Sequence, residues 1–224
     1  MKSVLVSWSG GKDSCMALDE ILRTPETYQV AALLTTIARE DGRIQIHHVR
    51  RALLERQAAA LNLPLLQVEI KRGATNVEYE SALEAGIASY RARGVKEIVY
   101  GDLFLADIRA YREQLLARLK MRGLFPVWGR DTSHFVRDFL ARGFKAVATS
   151  VDARALDASF AGCALDEEFL ARLPPGVDPC GERGEFHTYV YGGPLFREEI
   201  EFHLGETTLR DNHYCCDLLL PPLK

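Results

Sequence analysis

The stretch Ser3-Val4-Leu5-Val6-Ser7-Trp8-Ser9-Gly10-Gly11-Lys12-Asp13-Ser14 decides the fold. Residues 3–8 are short and apolar and read as a buried strand. Gly10 and Gly11 break it, and residues 14–23 follow with Met16, Leu18, Ile21 and Leu22 available for one helical face. A strand that passes through paired glycines into a helix can bind an anion. The glycines let the backbone turn sharply, so that N–H groups converge on one spot. The helix start adds about half a positive charge. Ser9 and Ser14 bring hydroxyl donors, Lys12 a mobile cation, and Asp13 a carboxylate suited to a Mg²⁺ ion bridging to phosphate. The Walker spacing GxxxxGK[ST] is absent, so a pyrophosphate is the expected guest. Lys12 and Asp13 are expected to face solvent in the free protein. The plain alternative, a glycine turn that merely opens a helix, does not account for six fitting residue types at one junction.

Outward from this junction the chain alternates. Residues 29–37 read as a second strand, 52–61 as a helix with Leu53, Leu54, Ala58 and Leu61 at helical spacing, and 65–71 as a third strand. Thr75 and Glu78 form a capping box before a helix that runs to about Arg93. Residues 95–100 read as a fourth strand, and Ile108, Leu115 and Leu119 mark another helix. This alternation predicts an α/β fold with a Rossmann-like parallel sheet covered on both faces. The polar residues 38–50 have the length of a functional loop. Beyond Phe125-Pro126 the rhythm is lost. A helix at 132–142, a strand at 144–151 and strand-like runs at 186–191, 195–204 and 213–220 predict a smaller α+β domain, with Gly192-Gly193 as a hairpin turn. The expected division is 1–125 and 126–224.

Composition narrows the classes. The chain has 224 residues, 47% hydrophobic and 26% charged, which suits a folded globular protein and excludes disorder throughout. No run approaches the ~20 apolar residues of a membrane span, and the N-terminal run is too short for a signal peptide. Cytoplasmic residence with reduced thiols is the expectation. The five cysteines include no CxxC pair, which argues against a disulfide framework or a zinc site. A net charge of −3 weighs against nucleic acid as a partner. Only seven of the 28 basic residues are Lys, so Lys12 within a motif stands out from background.

In open α/β sheets ligands bind at the carboxyl ends of strands. The loop at 9–14, Thr35-Thr36 and Gly101-Asp102 all fall at such ends. Asp107, Arg109, Tyr111, Arg112 and Glu113 follow, although a solvated helix face with i,i+4 pairs explains Arg109, Arg112 and Glu113 equally well. A further cluster, Pro179-Cys180-Gly181-Glu182-Arg183-Gly184-Glu185-Phe186-His187-Thr188, sets glycines between carboxylates. It reads either as a functional loop or as an exposed lead-in to a hairpin. His47 and His48 could contact phosphate or an acceptor, or simply decorate the surface.

The hexapeptide Ser9–Ser14 resembles the PP-loop of the ATP pyrophosphatases, which split ATP between the α and β phosphates and transfer AMP. Three more segments extend the likeness: Gly101-Asp102-Leu103-Phe104-Leu105-Ala106-Asp107-Ile108-Arg109-Ala110-Tyr111, Pro126-Val127-Trp128-Gly129 and residues 179–196. From Ser9 to about Phe196 the chain resembles the diphthine–ammonia ligase family, in a form closer to its bacterial relatives. Bacteria make no diphthamide, so the acceptor carboxylate stays open. The resemblance implies a PP-loop ATPase fold of the HUP type and an ATP-dependent amide ligase. A carboxylate is adenylated, pyrophosphate leaves, and ammonia displaces AMP. It implies ATP and Mg²⁺ as cofactors, with Lys12 and Asp13 catalytic and Asp13 also on the metal. Ser9, Gly10, Gly11, Lys12, Asp13, Ser14, Thr35, Gly101 and Asp102 would bind ATP, and Arg109, Tyr111, Glu182, Glu185 and Thr188 the acceptor side. The partners implied are ammonia and a carboxylate acceptor, carried on a protein in the diphthamide case; a homodimer stays open. Two rivals remain: a tRNA-modifying PP-loop enzyme, disfavoured by the missing Cys pairs and the acidic balance, and a nucleotide sensor without turnover.

Overall fold

The computed structural model describes residues 1–44 and 48–222. Strand β1 (Lys2–Ser7) shows why the first half folds as it does. Its side chains alternate, Val4 and Val6 into one core and Leu5 into another on the opposite face. Such a strand must be covered on both sides, and helices provide the cover. The elements that follow are α1 (Lys12–Leu22), β2 (Tyr28–Ala38), α2 (Arg51–Ala60), β3 (Leu65–Ile70), α3 (Asn76–Ala92), β4 (Glu97–Val99), α4 (Ala106–Arg118) and β5 (Arg122–Leu124). The strands form one parallel sheet in the order β3-β2-β1-β4-β5, with β1 at its centre. The Thr75–Glu78 capping box is present at the start of α3.

The second half supplies α5 (Thr132–Ala141), β6 (Lys145–Asp152), a 3₁₀ turn at Ala158–Phe160, α6 (Glu167–Arg172), β7 (Phe186–Gly192), β8 (His203–Arg210) and β9 (His213–Leu219). Its sheet is antiparallel, in the order β7-β6-β9-β8. One strand is added and two expectations are corrected. The edge strand β5 is too short, at three residues, to leave a periodic signal. Gly192-Gly193 makes no hairpin: β7 pairs with β6, and the chain runs on without a strand until His203. The tight hairpin joins β8 to β9 instead, through Asp211 and Asn212 at φ 46° and 64°. That is the left-handed pair a two-residue turn between twisted strands requires. Among the described residues no helix is long and apolar enough to cross a membrane.

The two sheets meet at the loop of residues 9–14. β7 is an edge strand, and its open side ends on that loop: Val190 N–H donates to the Gly10 carbonyl at 2.8 Å. Gln57 of α2, fully buried, completes the seam. Its Nε2 donates to Gly10 O at 2.9 Å and to Val190 O at 2.6 Å, and its Oε1 accepts from Trp8 Nε1 at 2.8 Å. Gly10 sits at φ 79°, and a Cβ there would come within 2.7 Å of Gln57 Oε1. One apolar cluster runs continuously from Val4, Val6 and Met16 to Phe135, Val147 and Tyr189, so both sheets share a core.

Replacing Gln57 with Leu keeps the volume but strips the partners from Trp8 Nε1 and Val190 O. Each buried polar group left unmade costs roughly 1–3 kcal/mol. We expect Gln57→Leu to lower stability by about 2–4 kcal/mol, read as a lower urea midpoint at unchanged slope. An unshifted midpoint would show that the seam contributes nothing to folding.

Candidate active site

The loop of residues 9–14 is held by its own hydroxyls. Ser14 Oγ donates to Gly11 O at 2.9 Å, Gly11 N–H donates to Ser9 Oγ at 3.3 Å, and the two hydroxyls lie 3.3 Å apart. Gly11 is the N-cap of α1 and has no side chain to cap it. The Lys12 amide donates to Thr188 Oγ1 across the seam at 3.1 Å. An uncapped helix start beside a glycine turn is the geometry that receives phosphate. Gly101 is required for a reason other than ligand access. A Cβ there would lie 2.6 Å from the Asp13 carbonyl carbon and oxygen, so only glycine lets the end of β4 pass beneath the loop.

Lys12 does not face solvent, contrary to expectation; it is 2% exposed. Its Nζ donates to the Cys180 carbonyl and to Asp13 Oδ2, the latter at 3.0 Å, and lies 5.4 Å from the centre of the Phe186 ring. Burial opposes its charge, but Asp13 together with Cys180 and Glu182 holds the amine above its ordinary range. The receiving loop is itself ordered by two carboxylates. Asp178 Oδ1 accepts from Cys180 N–H at 2.8 Å, and Glu185 accepts from the amides of Asp178 and Arg183 at 3.0 Å each. Glu185, expected on the acceptor side, therefore holds its own loop in shape. Glu182 points the other way: its Oε1 accepts from Leu103 N–H at 2.8 Å, at the end of the first sheet. Burial raises the Cys180 thiol far above its usual range, so it is no nucleophile at neutral pH.

Beside the loop lies a cavity of about 310 Å³. Ser7, Trp8 and Ser9 form one wall, Thr35, Thr36, Ile37 and Ile44 another, with Ile70, Tyr79, Leu83, Tyr100 and Arg112 completing it. The cavity brings Thr35 and the loop together, and the residue of α4 that lines it is Arg112 rather than Arg109 or Tyr111. Arg112 stacks 4.2 Å from the Tyr100 ring centre, with its Nε 3.1 Å from Asp102 Oδ2. Arg109 lies on another face of α4, paired with Glu113 at 2.8 Å and 4.7 Å from the ring centres of Phe125 and Trp128. Tyr111 turns toward Glu80 and Tyr79, whose charge and packing raise its phenol beyond what burial does. His47 lies outside the described residues. His48 sits beside Arg43, Arg72, Arg210 and His213, and burial together with those cations lowers its pKa.

Among the described residues, Asp13 Oδ1 and Thr35 Oγ1 are buried here without a hydrogen-bond partner, and Asp102 Oδ2 makes no hydrogen bond either, though it is ion-paired with Arg112. Native proteins seldom leave such atoms unmet unless a ligand or ion meets them. No three His, Cys, Asp or Glu side chains among the described residues could alone hold a metal ion. Mg²⁺ ordinarily takes one or two carboxylates and completes its shell with substrate phosphates, and the donor set fits that pattern. Two features of the site had only faint signals in the sequence. Gln57 is a polar residue on the apolar stripe of α2, and Asp178 is an acid three residues into a proline-glycine turn.

Burial, and then the nearby Asp13 carboxylate, push Glu182 up to about 7; burial also raises Asp13 and Asp102. A carboxyl with a raised folded pKa holds its proton longer when folded than when unfolded. Its stabilising contribution is complete below pH ~4.5 and is lost as pH rises through about 7. Glu182→Gln keeps the oxygen that accepts from Leu103 and cannot ionise. In urea unfolding the variant should match the native chain near pH 4.5 and exceed it at pH 8. Equal stability of the two at pH 8 would refute the assigned environment.

Residues 1–123 match the model of the diphthamide synthase N-terminal domain, and residues 131–218 that of the diphthamide synthase C-terminal domain. The diphthine–ammonia ligase of Danio rerio is 26% identical over 223 residues, covering 91% of this chain and 88% of that protein. Those of Rattus norvegicus and Homo sapiens are 27% and 26% identical, each covering 90% of this chain and 83% of the relative. With a PP-loop at the centre of its parallel sheet and both halves matched, the chain belongs to the diphthamide synthase family.

Proposed function

We propose that the chain is an ATP-dependent carbon–nitrogen ligase that adenylates a carboxylate and amidates it with ammonia, as diphthine–ammonia ligases are named for doing. The observation that supports the reading most is the pair of buried, unmet polar atoms at the PP-loop and in the cavity beside it, Asp13 Oδ1 and Thr35 Oγ1. The cavity of about 310 Å³ suits a nucleoside, and Tyr79, Tyr100, Leu83 and Ile44 give it apolar walls for a base. The pyrophosphate end then lies against Gly10, Gly11 and the start of α1. In this division residues 1–125 bind the nucleotide and 126–224 face the acceptor.

The acceptor carboxylate attacks the α-phosphorus, the bond from that phosphorus to the bridging oxygen breaks, and pyrophosphate stays in the loop. Ammonia then attacks the acyl carbon, loses a proton and expels AMP. No side chain need become covalently attached. Lys12 exchanges the Cys180 carbonyl for phosphate oxygen, which concentrates positive charge where the leaving group becomes more negative. Asp13, with Asp102 nearby, would supply carboxylate oxygens to a Mg²⁺ ion, whose chemistry would be to neutralise phosphate charge. Glu182, on the loop that meets Lys12, faces the same space from the second sheet. Arg109 and Tyr111 have no place in this reading, and Thr188 serves by fixing the Lys12 amide. The acceptor is a carboxylate, diphthine or a related group.

The test is ATP–pyrophosphate exchange in the presence of carboxylate acceptors, followed by amide formation with ammonium. We expect Lys12→Ala and Asp13→Asn to lower exchange by about 10² or more. Native-like exchange in either variant would remove that residue from the mechanism. Nucleotide binding with no exchange for any acceptor, tRNA included, would favour the sensor reading.

A further inference from the structure

Asp217 on β9 gathers two arginines from the far side of the chain. Arg43 Nη1 and Nη2 donate to its Oδ1 and Oδ2 at 2.9 and 3.2 Å, and Arg50 Nε donates to Oδ1 at 3.0 Å, with Arg50 Nη2 on Oδ2. Both guanidinium groups are bidentate on one carboxylate, the geometry in which Arg–carboxylate pairs are strongest. Together they depress the Asp217 pKa well below the usual carboxylate range despite partial burial. The arginines sit at the feet of one excursion of the chain after β2. Arg43 and Arg50 pair as an antiparallel bridge, Ile44 N–H donates to Val49 O at 3.0 Å, and Arg43 Nη1 also donates to His48 O at 2.8 Å. Ile44, next to Arg43, is 8% exposed and lines the cavity beside the PP-loop.

We propose that Asp217 is a positioning residue for nucleotide binding: its double arginine clamp, made from the second sheet, fixes Ile44 as a wall of the cavity. The inference rests on reading that cavity as the nucleoside site. Held at two points, Arg43 and Arg50 cannot separate, and Ile44 keeps its place in the cavity lining with Ile37 and Ile70. Released, Ile44 can withdraw from the cavity, and nucleotide binding weakens while the PP-loop chemistry stays intact. Asp217 touches no reacting atom.

The experiment measures ATP binding by calorimetry and the KM and kcat of pyrophosphate exchange for Asp217→Asn, Asp217→Glu, Ile44→Ala and Asp217→Asn combined with Ile44→Ala. Asp217→Asn should raise the Kd and KM for ATP about tenfold, with kcat at saturation within about twofold, and Asp217→Glu should recover most of the loss. Ile44→Ala should weaken ATP binding in the native background and add little once Asp217→Asn is present, because both act through one wall. Unchanged affinity in Asp217→Asn, or fully additive losses in the double variant, overturns the clamp while the nucleoside reading stands. ATP binding that is indifferent to Ile44→Ala in every background overturns the nucleoside reading of the cavity, and the clamp with it.

Discussion

The Gly10 carbonyl is the point on which both halves of the molecule depend. It accepts from the Val190 amide and from Gln57, so the free edge of an antiparallel sheet ends on the turn of a phosphate loop. An edge strand left open is a liability, and here it is closed by the part of the chain that must be held most rigidly. The same turn needs φ 79° at Gly10 and no side chain at Gly101, where β4 passes beneath it. The PP-loop is therefore positioned from three directions: by β1 before it, by β4 below it and by β7 beside it. A site preorganised in this way loses little entropy when its ligand arrives.

Charge around the loop follows from that packing. Lys12 is too buried to remain charged without company, and it finds a carboxylate on its neighbour and a carbonyl on the loop before β7. Asp13, Asp102 and Glu182 crowd the same space, and burial raises all three. Three carboxyl groups sharing this space with Lys12 and Arg112 favour protonation of at least one, and Glu182, pushed up to about 7, takes up a proton near neutrality. A polyphosphate with its cation reverses these terms. The cation favours the ionised carboxylates, and the phosphates offer Lys12 a stronger partner than a neutral carbonyl. Binding at the loop must then disturb the Cys180 carbonyl, and with it the segment that carries Glu182.

Much of this was legible in the sequence. The strand–glycine–helix junction, the βα alternation, Thr35 and Gly101-Asp102 at strand ends, and the charged loop before β7 are local patterns, and local patterns survive without coordinates. What was lost is set by packing at a distance. Arg109 and Arg112 lie three positions apart on α4 and carry the same side chain, yet only Arg112 reaches Asp102 and the cavity. Helical spacing alone does not say which of the two faces a pocket. Gln57 was visible only as the polar residue in a stripe with Leu53, Leu54 and Ala58, a pattern that signals a buried partner without naming it. β8 is exposed on both sides, with Leu204 and Leu209 open to solvent, so its alternation carries no burial signal, and the run at 195–204 was the more apolar choice.

The second sheet reaches the first through side chains that end at the nucleotide region. β7 touches the PP-loop through Val190 and Thr188, the loop before it holds Lys12, and Tyr189 donates to the Leu53 carbonyl of α2 at 3.0 Å, one turn from Gln57. β9 adds Asp217 and the two arginines beside the cavity. A contact surface built only for stability could lie anywhere along the shared core. One concentrated at strand ends, around the phosphate loop and the apolar pocket, ties the shape of that pocket to the position of the second sheet. Any ligand that shifts β7 or the loop at 178–185 acts on Lys12 first, and by linkage a ligand at the PP-loop acts back on it with the same coupling energy.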